Sequence, residues 1–152
     1  MFNRFKYYFF TLFGIGNLPA SGTCASLFTV IIFFLFLKNI NFYQYIFIIL
    51  IILIISLLFL ESFLKNYKKE DPKEVVIDEV IGQLIALINV GQNLKLIILS
   101  FILFRFFDIT KVYPASYFDK KLKNKYGILG DDIVAGIYAF LVVYLIKNYY
   151  HD

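Results

Sequence analysis

The stretch FYQYIFIILIILIISLLFL, residues 42–60, decides how this chain folds. It carries no charge and consists largely of Ile, Leu and Phe. Coiled as a helix at 1.5 Å per residue it measures about 28 Å, close to the roughly 30 Å of hydrocarbon in a bilayer. Its β-branched content would suit a strand in water. In lipid only a helix satisfies its own backbone, so a transmembrane helix is expected here.

Working outward, residues 23–37 read as a second helix and residues 2–13 as an interfacial or partly inserted one. Three shorter apolar segments follow at 80–90, 94–107 and 133–146. They read as short, tilted or partly inserted helices packed on the first two, with a soluble bundle as the plainer alternative for these three. The expected fold is therefore all-α: an integral membrane helical bundle with an N-terminal interfacial helix and about five further helices. With 152 residues the chain has room for one domain, 1–152. Arg4 and Lys6 precede an apolar run, but Gly14 and Gly16 shorten it to the lower limit of a signal-peptide core, and cleavage is not expected.

Composition agrees with lipid as the solvent. The chain is 61% hydrophobic, against about 45–50% in soluble domains. A net charge of +4 admits nucleic acid, anionic lipid or topology as its cause. The lysines lie between apolar segments, which favours topology and lipid, and no nucleic-acid partner is expected. A lone Cys24 permits no intrachain disulfide and no multi-cysteine zinc site.

Threading the segments across a bilayer puts Lys65, Lys68, Lys69, Lys73, Lys111, Lys120, Lys121, Lys123 and Lys125 on one side. Lys38, Lys95 and Lys147 fall on the other, so the positive-inside rule makes the first side cytoplasmic. Hydropathy alone set this path, yet it also gathers every acidic pair and every Gly-rich motif on that same side.

Three acidic stations stand there. Asp78 and Glu79 open the helix in DPKEVVIDEVIG, Asp108 closes one in FRFFDITK, and Asp131 and Asp132 open another in GILGDDIVAG. Helix capping is the plain reading of Asp78 and Asp131. It does not serve Asp108, whose carboxylate meets the unfavourable end of the helix dipole. Arg105, Asp108 and Lys111, spaced i, i+3, i+6, form either a salt-bridged face or a metal-ligating carboxylate between two phosphate-binding cations. Gly82, Ala86, Ala135, Gly136 and Ala139 would let their helices approach closely and bring the acids together. Oxygen donors without His or Cys favour magnesium, manganese or calcium over zinc, and magnesium suits a phosphorylated lipid. In GIGNLPASGTCASL, Gly22 with Thr23 and Ser26 at a helix start offers N–H groups to a phosphate, a weak signal by itself.

Other chemistries lack their residues. The only histidine is His151, which leaves no Ser-His-Asp triad. Cys24 has Val30, not Arg, six residues on, and Asp108 has no second Asp two residues on. Metal-assisted attack by water remains, with an aspartyl intermediate less favoured. A transporter would place its charges near mid-membrane, whereas these gather at one interface. The D-G-x-x-A-R opening of transferases acting on CDP-activated lipids is absent.

Three blocks together resemble the phosphatidylglycerophosphatase A family of bacterial membrane enzymes. They are GIGNLPASGTCASL (residues 14–27), VVIDEVIGQLIAL (75–87), and FRFFDITKVYPASYFDKK with GILGDDIVAGIYA (104–139), about half the chain in the family's order. The family's Pro-x-Pro after Asp-x-x-Lys is replaced by Val112, Tyr113 and Pro114, and its Gly-Gly stretch by Lys125, Tyr126 and Gly127; Asp119 matches an aspartate of that loop. The resemblance implies magnesium-dependent hydrolysis of phosphatidylglycerophosphate to phosphatidylglycerol and phosphate at the cytoplasmic face of the inner membrane. It implies a metal cluster of Asp78, Glu79, Asp108, Asp131 and Asp132. Arg105 and Lys111 would hold phosphate, with Thr23 and Ser26 nearby. As catalytic groups we expect Asp131 or Asp132 to activate water, supported by Asp78 and Lys111.

Overall fold

The computed structural model describes residues 2–67, 72–122 and 124–149. Lys68, Lys69, Lys123 and His151, used in the sequence reading, lie outside these residues, as do the side chains of Asp119 and Lys120. Among the described residues the chain is helical without strands. The α-helices are α1 (Phe2–Phe10), α2 (Ser21–Ile32), α3 (Phe42–Tyr67), α4 (Ile77–Ala86), α5 (Leu94–Thr110), α6 (Ala115–Lys121) and α7 (Lys125–Tyr149).

Local chemistry sets these limits. After α1, Leu12, Phe13 and Gly14 all take positive φ, which reverses the chain into a single 3-10 turn, Ile15–Asn17. Beyond α2 the helix widens into a π turn over Phe33–Leu37, closed by the Lys38 N–H donating to the Phe33 carbonyl at 2.9 Å. Asn93 caps α5 by accepting from the Lys95 and Leu96 amides. Lys111 ends the same helix in the left-handed conformation.

α3 and α7 are each long and apolar enough to cross a membrane. α3 leaves Phe47, Ile54 and Leu58 more than half exposed, an apolar face of the kind that meets lipid or another protein surface. The core lies where α7 packs on α4 and α5. Gly82 and Gly136 are in backbone contact there: a Cβ at Gly136 would collide with the Gly82 carbonyl. Ala86, Ala135 and Ala139 continue that seam against Phe104, all fully buried. Tyr45 ties α3 to α4 by donating to the Leu84 carbonyl at 2.7 Å.

Three expectations need correction. The segment expected at 133–146 belongs to a 25-residue helix that starts at Lys125, because Asn124 accepts from the Tyr126 and Gly127 amides and caps it early. Asp131 and Asp132 therefore sit inside α7 and cap nothing. A further helix, α6, lies between α5 and α7 where a loop was expected. The segment expected at 80–90 is a helix of ten residues that starts at Ile77 and ends at Ala86, ahead of the turn in which Asn89 and Gly91 take positive φ.

Candidate active site

A cavity of about 900 Å³ opens where the N-terminal ends of α2, α4 and α7 meet the C-terminal end of α5. One wall is the loop 16–21, another the segment 72–75, and the floor holds Asp78, Glu79, Asp108, Asp131 and Asp132. The loops are locked together. Gly16 is buried, and a Cβ there would strike the Glu74 carbonyl; the Ser21 hydroxyl donates to the Lys73 carbonyl at 2.9 Å. Val76 donates its amide to the Phe10 carbonyl at 2.9 Å, which hangs α1 on the entry to α4.

The five acids divide into two sets. Asp78, Glu79 and Asp132 each present a carboxylate oxygen, and the three oxygens lie within 4.8 Å of one another. Asp132 is almost wholly buried. Asp78 Oδ1 and Glu79 Oε2 are buried and accept no hydrogen bond among the described residues. Buried oxygens without donors are costly, and a divalent cation is the natural partner for these two beside the Asp132 carboxylate. Burial raises the Asp78 carboxyl well above the ordinary value, and the adjacent Glu79 raises it further. Burial raises Glu79 as well, while the contact with Asp78 works the other way. All-oxygen donors suit magnesium and exclude the Cys- or His-based sites of zinc.

Asp108 and Asp131 are held by cations. Arg105 Nη1 stands 2.5 Å from Asp108 Oδ2, and Lys111 Nζ is 3.8 Å from Asp108 Oδ1. Lys111 also pairs directly with the Asp131 carboxylate across 20 residues of sequence. Burial opposes the lysine's charge, but Asp131, Asp132 and Asp108 outweigh it and raise its pKa. Lys111 thus remains a cation at the cavity wall.

The expected phosphate-holding residues separate in space. Lys111 lines the cavity, whereas Arg105, Thr23 and Ser26 do not. Ser26 is fully buried and donates to the Gly22 carbonyl at 2.8 Å. The lining from that part of the chain is the loop 16–21, before the helix. Asn17, Ser21, Lys73 and Glu74 are cavity residues that the sequence reading missed. Their signal was position alone, since two flank the Gly/Pro turn and two precede the Asp78–Glu79 pair.

A family model described as Phosphatidylglycerophosphatase A matches residues 8–147. The chain is similar to a protein named Phosphatidylglycerophosphatase A of Haemophilus influenzae, 34% identical over 137 residues, covering 89% of this chain and 84% of the relative. It is similar to the protein of the same name in Escherichia coli, 29% identical over 91% of this chain and 81% of that one. A Bacteroides thetaiotaomicron protein, whose name marks it as a candidate phosphatidylinositol-3-phosphatase, is 38% identical over 77 residues, about half of each chain. No solved structure matches. Most of the acidic cavity, including its five acids, is thus built from the blocks that first carried the resemblance, and the chain belongs to the phosphatidylglycerophosphatase A family of phosphatases.

Proposed function

We propose that this enzyme hydrolyses the terminal phosphate monoester of phosphatidylglycerophosphate, giving phosphatidylglycerol and inorganic phosphate. The observation that carries this reading is the trio Asp78, Glu79 and Asp132, with oxygens within 4.8 Å, beside the cavity cation Lys111. A cavity of about 900 Å³ has room for a phosphorylated glycerol headgroup with its inner diester.

Asp78, Glu79 and Asp132 would hold magnesium, which when bound supplies positive charge against the phosphoryl oxygens and favours deprotonation of water. Lys111 draws the phosphate into the cavity, and its ammonium offsets charge as the bond to the glycerol oxygen breaks. Asp131 stands outside the trio and against Lys111, and in this reading it takes the proton of the attacking water. The water oxygen bonds to phosphorus, the phosphorus–glycerol oxygen bond breaks, and the departing oxygen takes a proton from solvent at the open mouth.

The membrane supplies the substrate. α3 and α7 span the bilayer in this reading, and the shorter helices pack against them with the cavity at the cytoplasmic face of a bacterial inner membrane. Lys65, Lys73, Lys111 and Lys125 lie at that end, which supports the orientation. A reporter fused after Lys65 is expected in the cytoplasm; a periplasmic signal refutes the orientation. Activity is tested with purified protein in detergent on phosphatidylglycerophosphate, with phosphatidic acid and phosphatidylinositol 3-phosphate as comparators. Preference for either comparator refutes the substrate assignment.

A further inference from the structure

We infer that Arg105 is a positioning residue for the carboxylates that hold the cation, and that Gly22 is the other half of the same device. This rests on reading the Asp78, Glu79 and Asp132 trio as a cation site. Arg105, Asp108 and Lys111 look equivalent along α5, two cations flanking one acid. The fold makes them unlike. Lys111 Nζ faces the cavity, while the Arg105 side chain is only 17% exposed and does not line it. Its guanidinium lies behind the acids, against the start of α2.

The packing there is specific. A Cβ added at Gly22 would collide with Glu79 Oε1 and stand 3.2 Å from Arg105 Nη1. The Glu79 carboxylate therefore occupies the room that a side chain on α2 would fill, and the guanidinium closes that room beside it. The same Nη1 is 2.5 Å from Asp108 Oδ2. A planar guanidinium can pair with one carboxylate and still present a rigid edge beside another, which an ammonium cannot do with the same geometry. Asp108 in turn lies within electrostatic reach of both Glu79 and Asp132. Arg105 thus fixes Asp108 through the ion pair and bounds the room that Glu79 occupies, both from the protein side, and the cation meets the acids from the cavity side.

The test uses the full-length protein in detergent with Arg105→Gln, Arg105→Lys and Gly22→Ala. Three quantities are read: the magnesium concentration for half-maximal phosphate release, the rise in Tm on adding magnesium, and KM for phosphatidylglycerophosphate at saturating magnesium. Arg105→Gln is expected to raise the half-saturating magnesium about 10- to 100-fold, the usual effect of losing a group that orients a ligand. The magnesium-induced rise in Tm shrinks with it, and lipid KM stays close to that of wild type. Arg105→Lys recovers part of the magnesium affinity. Gly22→Ala, which changes no charge, shifts magnesium dependence in the same direction and carries the test if Arg105→Gln does not fold. A raised lipid KM with unchanged magnesium dependence in Arg105→Gln overturns the inference, because it makes Arg105 a phosphate ligand. Unchanged magnesium dependence in Gly22→Ala overturns it as well. If wild-type protein itself shows neither magnesium activation nor a magnesium-induced rise in Tm, the cation site falls first and takes the inference with it.

Discussion

Lys111, at the left-handed end of α5, pairs with Asp131 inside α7, and this contact joins the two helices at the acidic cavity. It uses one cation to hold an acid of the site while keeping an ammonium on the cavity wall. Lys111→Met should lower kcat by about 100- to 1,000-fold, the scale for removing one preorganised charge-stabilising donor. Lys111→Arg should recover little, because a guanidinium does not fit where a compact ammonium sits. Steady-state kinetics on phosphatidylglycerophosphate check both.

The trio Asp78, Glu79 and Asp132 should respond as a unit to loss of one member. Asp78→Asn and Asp132→Asn each keep the shape and remove a charge. Both should abolish the magnesium-induced rise in Tm, while Asp131→Asn should keep it and lose turnover. Thermal unfolding with and without magnesium separates these outcomes.

Stability should depend on pH in opposite senses with and without the cation. Burial and then the Glu79 carboxylate raise Asp78, and burial raises Glu79. An acid raised on folding favours the folded state below its ordinary value and loses that contribution as pH climbs through the raised one. Metal-free protein should therefore lose Tm as pH rises from about 4 toward neutrality. Magnesium needs the acids deprotonated, so the Tm gained on adding it should grow over the same range. A gain that shrinks with rising pH contradicts the assignment of these ligands.

Gly136 meets the Gly82 backbone where α7 crosses α4. Gly136→Ala forces the helices apart and should cost about 1–3 kcal/mol, as overpacking of a close contact does. Because Asp78 and Asp132 ride on these two helices, magnesium affinity should fall as well. A variant with lowered Tm and wild-type magnesium affinity shows that the seam is structural only.

How far the sequence disclosed this arrangement depends on the range of the interactions. Residues 42–60 announced a helix because their apolarity is local, and α3 runs from Phe42 to Tyr67. The acids were found because charges beside apolar runs are conspicuous. The start of α7 was hidden, since Lys125, Gly127 and Gly130 look like a loop. Both glycines serve packing with α6: a Cβ at Gly127 would strike the Leu122 carbonyl, and one at Gly130 the Phe118 ring. The division of the acids was equally hidden. It depends on Lys111 reaching Asp131 and on Gly22 yielding space to Glu79, contacts that spacing along one helix does not reveal. Thr23 and Ser26 drew attention as hydroxyls at a helix start, but Ser26 bonds to its own helix and the preceding loop lines the cavity.

Magnesium-dependent hydrolysis at the trio can be checked in a single experiment. Purified protein in detergent is given phosphatidylglycerophosphate, and phosphate release is followed with magnesium, with chelator, and in Asp132→Asn. Release is expected with magnesium, none with chelator, and none from Asp132→Asn at any magnesium concentration. Equal release with chelator, or from Asp132→Asn, would contradict magnesium-dependent hydrolysis at the trio.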